Sequence, residues 1–387
     1  MTLKKKFFYW SPCLNPVGTV KSTLNSAIAL SKYSRDYEVV LINVCGEWDN
    51  YRKILNKNSI ELIDLTYNYF KFLPKTGYIG SRISYIIIFL VSFFPLLFLL
   101  KKEKPNTIIL HLITSLPLTL LSFFNLKNNF ILRISGYPKL NILRKFLWKI
   151  NASKLNSITC PTIELKTQLE KKKIFNNKKV FYLPDAIINL KEYSNNTNKE
   201  TTKLNFALNK KIILSAGRLT KQKNFIYLIN EFENFYRFNK NFILVILGDG
   251  EDRKLLENTI KEKKLEESIF MLGYRNDIYN IMRKSDVFVL SSLWEEMGFV
   301  IVEAAMNNLY VISSDCPNGP REFLNNGRNG ILFNSNKKNS LKESLEKFVK
   351  MTNEEKFKNK VQLKKNAKKF TKFRHFLKLV NILDFKY

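Results

Sequence analysis

Histidine is almost missing from this chain. Its 387 residues contain two, His111 and His375, and four cysteines, Cys13, Cys45, Cys160 and Cys316, none spaced as a CxxC pair. A structural zinc site needs four such ligands held together, so this scarcity argues against one. Isolated, widely separated thiols suit a reducing cytoplasm. Acids are also short: 33 Asp and Glu face 64 Lys and Arg, a formal charge of +31. That excess attracts anions at long range, whether nucleic acid, an acidic membrane surface or a phosphorylated substrate. Part of it reads as compositional drift, because Lys, Asn and Ile dominate throughout. No GxxxxGK[ST] occurs, which excludes a P-loop NTPase. Gly248-Asp249-Gly250 is not continued to a third glycine, which excludes the dinucleotide fingerprint of a Rossmann dehydrogenase. No zinc knuckle or aromatic RNA-binding motif appears, so no nucleic-acid partner is expected. No acidic cluster suited to Mg²⁺ is visible, so neither metal nor cofactor is expected.

What is present is length enough for two domains and 45% hydrophobic residues, ordinary for a globular protein. The basic start, Lys4-Lys5-Lys6, is followed by an apolar stretch too short for a signal peptide, and Phe7 to Trp10 reads as a first strand. A loop over Ser11 to Thr19 precedes a helix over Lys21 to Lys32; strands follow at Glu38 to Val44 and Ile60 to Leu65. Further strands are expected at Ile108 to Leu110, Phe130 to Ile134, Ser157 to Cys160 and Val180 to Leu183, with helices at Leu116 to Phe124 and from Thr162. The polar run 189–209 reads as a linker. Alternation then resumes with strands at Lys211 to Ala216, Phe242 to Leu247, Ile269 to Leu272, Val287 to Leu290 and Tyr310 to Ser313. Helices are expected at Asn224 to Phe238, Asp277 to Lys284 and Phe299 to Asn307, and the Lys-rich run Lys337 to Lys378 reads as helical. Strand–helix alternation implies parallel sheets covered by helices, an α/β fold.

Ile83 to Leu100 carries no charge over 18 residues and has basic flanks in Arg82 and Lys101-Lys102. That length just meets the threshold for crossing a bilayer. Ser84, Ser92 and Pro95 interrupt it, and a buried strand follows at once, so a span would split one α/β unit. The segment reads as a buried or interfacial helix, with an anionic membrane surface as a partner.

Ligands of open parallel sheets bind beyond the carboxyl ends of the strands. There Gly217-Arg218-Leu219 and Lys221-Gln222-Lys223-Asn224 combine a glycine, two cations and a helix start that Asn224 is placed to cap, a set suited to a diphosphate. The alternative is two surface cations in a basic chain. Farther on, Glu295 precedes a helix, Gly298 breaks the turn and Glu303 lies on the apolar helix. Carboxylates accept paired hydrogen bonds from vicinal hydroxyls such as those of ribose or hexose. The helix dipole alone explains an acid at position 295 or 296, and explains Glu303 poorly.

Gly217-Arg218-Leu219 with Lys223-Asn224, then Gly248-Asp249-Gly250, Leu272-Gly273-Tyr274, and Glu295 with Glu303 form an ordered set that resembles the retaining glycosyltransferase family 4. The first half resembles it less specifically, through Gly18, His111 and Arg133-Ile134-Ser135-Gly136. The resemblance implies the GT-B architecture, two Rossmann-like domains whose parallel sheets face across a cleft. It implies an acceptor-binding domain over 1–188, a nucleotide-sugar domain over 210–367, and a last helix in 368–387 returning to the first domain. It further implies that Arg218 and Lys223 hold the donor diphosphate, Glu303 the ribose and Glu295 the transferred sugar. Gly217, Gly298 and Phe299 line the donor, Tyr274 and Arg275 meet a uracil base, Gly18 lies near the phosphates, and His111 near the reacting carbon and acceptor. The first loop has one glycine where the family has two or three, and Glu296-Met297-Gly298 replaces a Gly-Phe-Gly turn. The loop Asp315 to Glu322 resembles a bacterial subgroup linked to cell-surface glycans, often with N-acetylhexosamine donors.

The expected activity is therefore transfer of a hexose or N-acetylhexosamine from a UDP-linked sugar to a glycan or lipid-linked acceptor, in a cytoplasmic protein peripheral to the inner face of the plasma membrane. A nucleotide-sugar epimerase of the same shape is the rival enzyme, though the chain offers few acid–base histidines. A basic nucleic-acid-binding protein is the rival from another class.

Overall fold

The computed structural model describes residues 4–14, 18–65, 70, 73, 78–138, 140–190, 193 and 209–384. The chain divides into two units, Met1–Ala186 with Lys372–Tyr387, and Ile187–Thr371. Of the expected linker 189–209, all but Asn189, Leu190, Tyr193 and Asn209 lie outside the described residues.

Unit 1 carries strands β1 (Lys5–Trp10), β2 (Tyr37–Asn43), β3 (Glu61–Asp64), β4 (Thr107–Leu110), β5 (Asn129–Arg133), β6 (Ser157–Cys160) and β7 (Val180–Tyr182). They form one sheet in the order β3-β2-β1-β4-β5-β6-β7, with every pairing parallel. After Lys5 and Lys6, β1 is apolar from Phe7 to Trp10, because that part lies mid-sheet and is covered on both faces. Phe8 and Trp10 join the core on one side and Phe7 and Tyr9 the core on the other. Between the strands run α1 (Gly18–Tyr33), α2 (Arg52–Lys57), α3 (Tyr78–Glu103), α4 (Ser115–Phe123), α5 (Ile142–Asn151) and α6 (Ile163–Lys171).

Gly18 is the first residue of α1, not part of a loop, and a Cβ there would meet nothing within 4 Å. Pro16 and Val17, just before it, lie outside the described residues. The uncharged run 83–100 lies inside α3, with Ile88, Leu96 and Leu100 in the sheet core.

Unit 2 holds β8 (Lys211–Ala216), β9 (Phe242–Leu247), β10 (Ile269–Met271), β11 (Val287–Leu290), β12 (Tyr310–Ser314) and β13 (Ile331–Phe333), ordered β10-β9-β8-β11-β12-β13 and again all parallel. Its helices are α7 (Phe225–Tyr236), α8 (Arg253–Glu262), α9 (Ile278–Lys284), α10 (Phe299–Met306), α11 (Gly319–Phe323), α12 (Ser340–Lys350) and α13 (Asn353–Ala367). The expected Lys-rich helix is three helices. Thr352 and Glu355 form a reciprocal capping box that starts α13 afresh, and a 3₁₀ turn at Lys368–Phe370 ends it. The third, α14 (Lys372–Leu383), packs on α1 in unit 1. Unit 2 runs to Thr371, four residues beyond the expected boundary, because the Phe370 carbonyl accepts the N–H groups of Ile187 and Ile188.

Candidate functional site

The carboxyl edge of the unit 2 sheet is laced together by its own backbone. The Gly217 N–H donates to the Leu247 carbonyl at 2.9 Å, Leu219 N–H to Asp249 O at 2.9 Å, and Gly248 N–H to Gly273 O at 2.8 Å. Loops following β8, β9 and β10 thus lie directly on one another. Glycine makes this possible. Gly248 has φ +133°, and a Cβ there would stand 1.9 Å from Gly217 O; at Gly250 it would stand 2.3 Å from Leu219 O.

Lys223 ends the 3₁₀ turn Lys221–Lys223 ahead of α7. Its stem crosses Gly217, where a Cβ would meet Lys223 Cε at 3.2 Å, so the glycine leaves room for the lysine. Lys223 Nζ donates to Glu295 Oε1, and Ser292 Oγ donates to the same oxygen at 2.7 Å. The Glu295 backbone is fixed from both sides, its N–H on Pro317 O at 2.7 Å and its carbonyl accepting Asn318 N–H at 2.5 Å. Leu293 N–H donates to Gln222 O at 2.8 Å, and Ser291 Oγ to Lys223 O at 2.7 Å. The sequence-expected diphosphate cation is therefore already paired with the sequence-expected sugar carboxylate, and both are largely buried. Asn224 occupies the N-cap position of α7 in a left-handed conformation, φ 54°, but its side chain makes no cap hydrogen bond. The expectation of a side-chain cap fails because a capping side chain reaches the first N–H groups from an extended backbone, whereas Asn224 closes the preceding 3₁₀ turn in the left-handed region.

Arg218, next in the chain to the Gly217 that Lys223 crosses, is exposed and forms no ion pair with a described residue. Gly298 caps α10 at φ 73°, and a Cβ there would lie 3.7 Å from Glu295 Cγ, so the helix start abuts the acid. Phe299 is half-buried on the first turn. Glu303 lies one turn farther on, buried, and accepts from Tyr279 Oη at 3.5 Å. Tyr274 is 77% exposed, a bare ring at the edge. Arg275 is turned onto Asp277, with Nε and Nη2 each 2.8 Å from its two carboxylate oxygens, so its guanidinium plane is held by a neighbour two residues away. Gly217, Arg218, Lys223, Tyr274, Arg275, Glu295, Gly298, Phe299 and Glu303 thus all belong to carboxyl-edge loops of one sheet, or to the helix they start.

His111 and Gly18 belong to unit 1. His111 follows β4 and is buried. Its Nδ1 lies 2.9 Å from Thr23 Oγ1, whose own proton goes to Thr19 O. Nδ1 is therefore the donor, and Nε2 carries the lone pair. Sequence reasoning missed what surrounds it. Arg133 Nη2 pairs with Asp185 Oδ1 at 2.6 Å, with side chains only 2% and 7% exposed, and Nη1 donates to Leu183 O at 2.7 Å. Ser22 Oγ adds a 2.5 Å bond to Asp185. His375, from α14, donates Nδ1–H to Pro184 O at 2.7 Å and accepts from Ser26 Oγ at 2.8 Å, and Ser26 in turn contacts Tyr9 Oη at 2.9 Å. Burial, reinforced by the Arg133 charge, holds His111 well below the usual imidazole range and pushes His375 down to about 4. No spacing in the sequence joins residues 133, 185 and 375. Among the described residues no group of three His, Cys, Asp or Glu lies close enough to hold a metal ion.

Residues 196–370 match the family model described as "Glycosyl transferases group 1". An uncharacterized glycosyltransferase of Methanocaldococcus jannaschii is 31% identical over 251 residues, 60% of this chain and 61% of that one. The Campylobacter jejuni N-acetylgalactosamine-N,N'-diacetylbacillosaminyl-diphospho-undecaprenol 4-alpha-N-acetylgalactosaminyltransferase is 35% identical over 167 residues, 43% of this chain and 44% of that one. This chain thus spans less than two thirds of the length of either relative. The crystal structure of Anabaena HepE in complex with UDP superposes with TM-score 0.72 at 14% identity, covering 98% of this chain and 99% of that one. Two all-parallel α/β units with such a neighbour have the GT-B fold, and the matched relatives are glycosyltransferases.

Proposed function

We propose that the whole chain is a retaining glycosyltransferase that moves a hexose or N-acetylhexosamine from a UDP-linked donor to a glycan or lipid-linked acceptor. It would act in assembly of a cell-surface polysaccharide, in the cytoplasm and peripheral to the inner membrane face. The observation that carries this reading is the junction of Gly217, Lys223, Glu295 and Gly298 on one laced edge, with Arg218 exposed beside it. The names of the relatives support it: the Campylobacter jejuni relative is named as an N-acetylgalactosaminyltransferase of a diphospho-undecaprenol-linked sugar, and HepE was solved with UDP.

The chemistry follows from charge. When the bond from the anomeric carbon to the diphosphate breaks, its electron pair moves to the phosphate oxygen. Arg218 and one of the remaining ammonium protons of Lys223 meet that charge, which is larger in the transition state than in the bound donor. Removing one such donor typically costs about 3 kcal/mol of barrier. Glu295, already oriented by Lys223 and Ser292, accepts sugar hydroxyls without reorganising. Glu303 accepts those of the ribose, the exposed Tyr274 ring stacks on the base, and the first amides of α10 face the sugar. Neutral His111 accepts a hydroxyl proton hydrogen bond at Nε2. The two cations stand in for a metal. Retention, by same-face attack without a covalent intermediate, is carried over from the family resemblance.

A thermal-shift panel of nucleotide sugars tests the reading, because a ligand bound only by the folded state stabilises by mass action, about 2.7 kcal/mol at a hundredfold excess over Kd. UDP-linked sugars are expected to raise the midpoint above GDP- and ADP-linked ones. A midpoint unmoved by every nucleotide sugar overturns it.

A further inference from the structure

One face of unit 1 keeps apolar side chains in water. On α3, Ile88, Leu96 and Leu100 enter the core, while Leu90, Phe94 and Phe98 point outward, each 60 to 66% exposed. Their spacing of four places them on a single stripe. α4 touches both α3 and α5 on this side of the sheet. On α5 only Trp148 and Asn151 are buried, and Ile142, Phe146 and Ile150 form a second outward stripe, with Ile142 91% exposed. Six such side chains present apolar area on the order of 600 Å², at the upper end of what monomeric soluble proteins leave uncovered.

Charge narrows the occupant. From residue 65 to residue 163 the only acid is Glu103, and it is tied to Lys6 at 3.0 Å. Cations stand at the margins: Lys101 and Lys102 end α3, and at 100° per residue Lys145 and Lys149 fall beside the α5 stripe. Apolar stripes edged by cations and free of acids match the headgroup boundary of an anionic bilayer. A second copy would set like charges against each other.

We propose that α3 and α5 form a docking face that seats unit 1 in the headgroup region of an anionic membrane. This is an interfacial contact, not a crossing, since the other side of α3 is core. The proposal rests on the function above for its purpose. In a parallel α/β unit each helix starts at the carboxyl edge of the sheet, so Ile142 lies toward the edge that bears His111, and a lipid-linked acceptor would meet that edge at bilayer level.

The test is flotation of the full chain with vesicles of phosphatidylcholine alone and of phosphatidylcholine with phosphatidylglycerol at about two to one. UDP binding by each variant is measured alongside. The chain is expected to float with the mixed vesicles, only weakly with the neutral ones, and less as salt rises. Ile142→Glu with Phe146→Glu should lower partitioning more than tenfold, and Lys145→Gln and Lys149→Gln by about fivefold each. All should bind UDP as the parent does, so loss of docking is read separately from loss of the enzymatic site. The proposal is overturned if the parent stays soluble with mixed vesicles at low salt, or if the glutamate variant floats equally well. It is also overturned if that variant only dissolves a concentration-dependent dimer.

Discussion

Two histidines in the whole chain make their protonation directly observable, each from its own ring resonance. Both are buried and neutral. His375 is pushed down to about 4 from the ordinary imidazole value of 6.5, by burial first and by Arg133, against the favourable carbonyl of Pro184. A displacement of that size corresponds to about 3 kcal/mol. The unfolded chain binds the proton near its ordinary pKa and the folded chain does not. The contribution to stability is therefore fully present above pH 6.5 and is lost as pH falls through the window down to about 4. At pH 5 His375 alone should have given up about 2 kcal/mol, and His111 acts in the same direction. Total stability against pH would hide this, because burial pushes the Glu47 carboxyl up to about 8, an effect of opposite sign. The assay is therefore ¹⁵N-histidine NMR on the folded chain, with urea midpoints at pH 7 and pH 5 for the parent and His375→Gln as the thermodynamic check. Both rings are expected to stay neutral to about pH 5, and the variant to be about 2 kcal/mol less sensitive to that pH step. A folded-state midpoint at or above about pH 6 for His375 would refute the reasoning.

Other expectations separate binding from folding. Arg218→Ala should cut transferase activity by about 10²-fold with an unchanged melting temperature, since the side chain is exposed. Lys223→Ala should lose activity and also about 2 kcal/mol of stability, because buried Glu295 keeps Ser292 but loses its cation; paired activity and calorimetry measurements check both. Gly248→Ala forces a Cβ to within 1.9 Å of Gly217 O at a φ of +133°, so the laced edge must shift, and nucleotide binding should disappear by calorimetric titration. Asp185→Ala strands the buried Arg133 charge at a cost of about 3–5 kcal/mol, whereas the double change Arg133→Met with Asp185→Leu should recover most of it, read by urea unfolding with Trp10, Trp48 and Trp148 as probes.

Much of the fold was legible because central parallel strands are short, apolar runs. Phe242 to Leu247 and Val287 to Leu290 are read from the sequence at their observed bounds. Helices shifted by a few residues, since caps decide their ends: Thr352 with Glu355 breaks a run that looks continuous by composition. α5 is not among the helices that the sequence pattern predicts. Its pattern is weak as a core helix because only Trp148 and Asn151 are buried. In unit 2 the cations and acids could be read from motif order, but the direct pairing of Lys223 with Glu295 could not, since 72 residues separate them. The unit 1 network of Arg133, Asp185 and His375 was invisible for the same reason: three distant segments converge only after folding.

The placement of α14 has a bearing on biosynthesis. His375 and Leu379 complete the interior of unit 1, yet they are made only after all of Ile187–Thr371. At ordinary ribosomal speeds that delay is about 10 to 40 s. For that interval the nascent first half carries Leu24 and Ile28 without the cover of α14, and Ser26 without its imidazole partner. The stretch between translation of Ala186 and arrival of Lys372 is when this chain is most exposed to holdase chaperones and proteases, and a premature stop near residue 371 would disable the half that had already been synthesised.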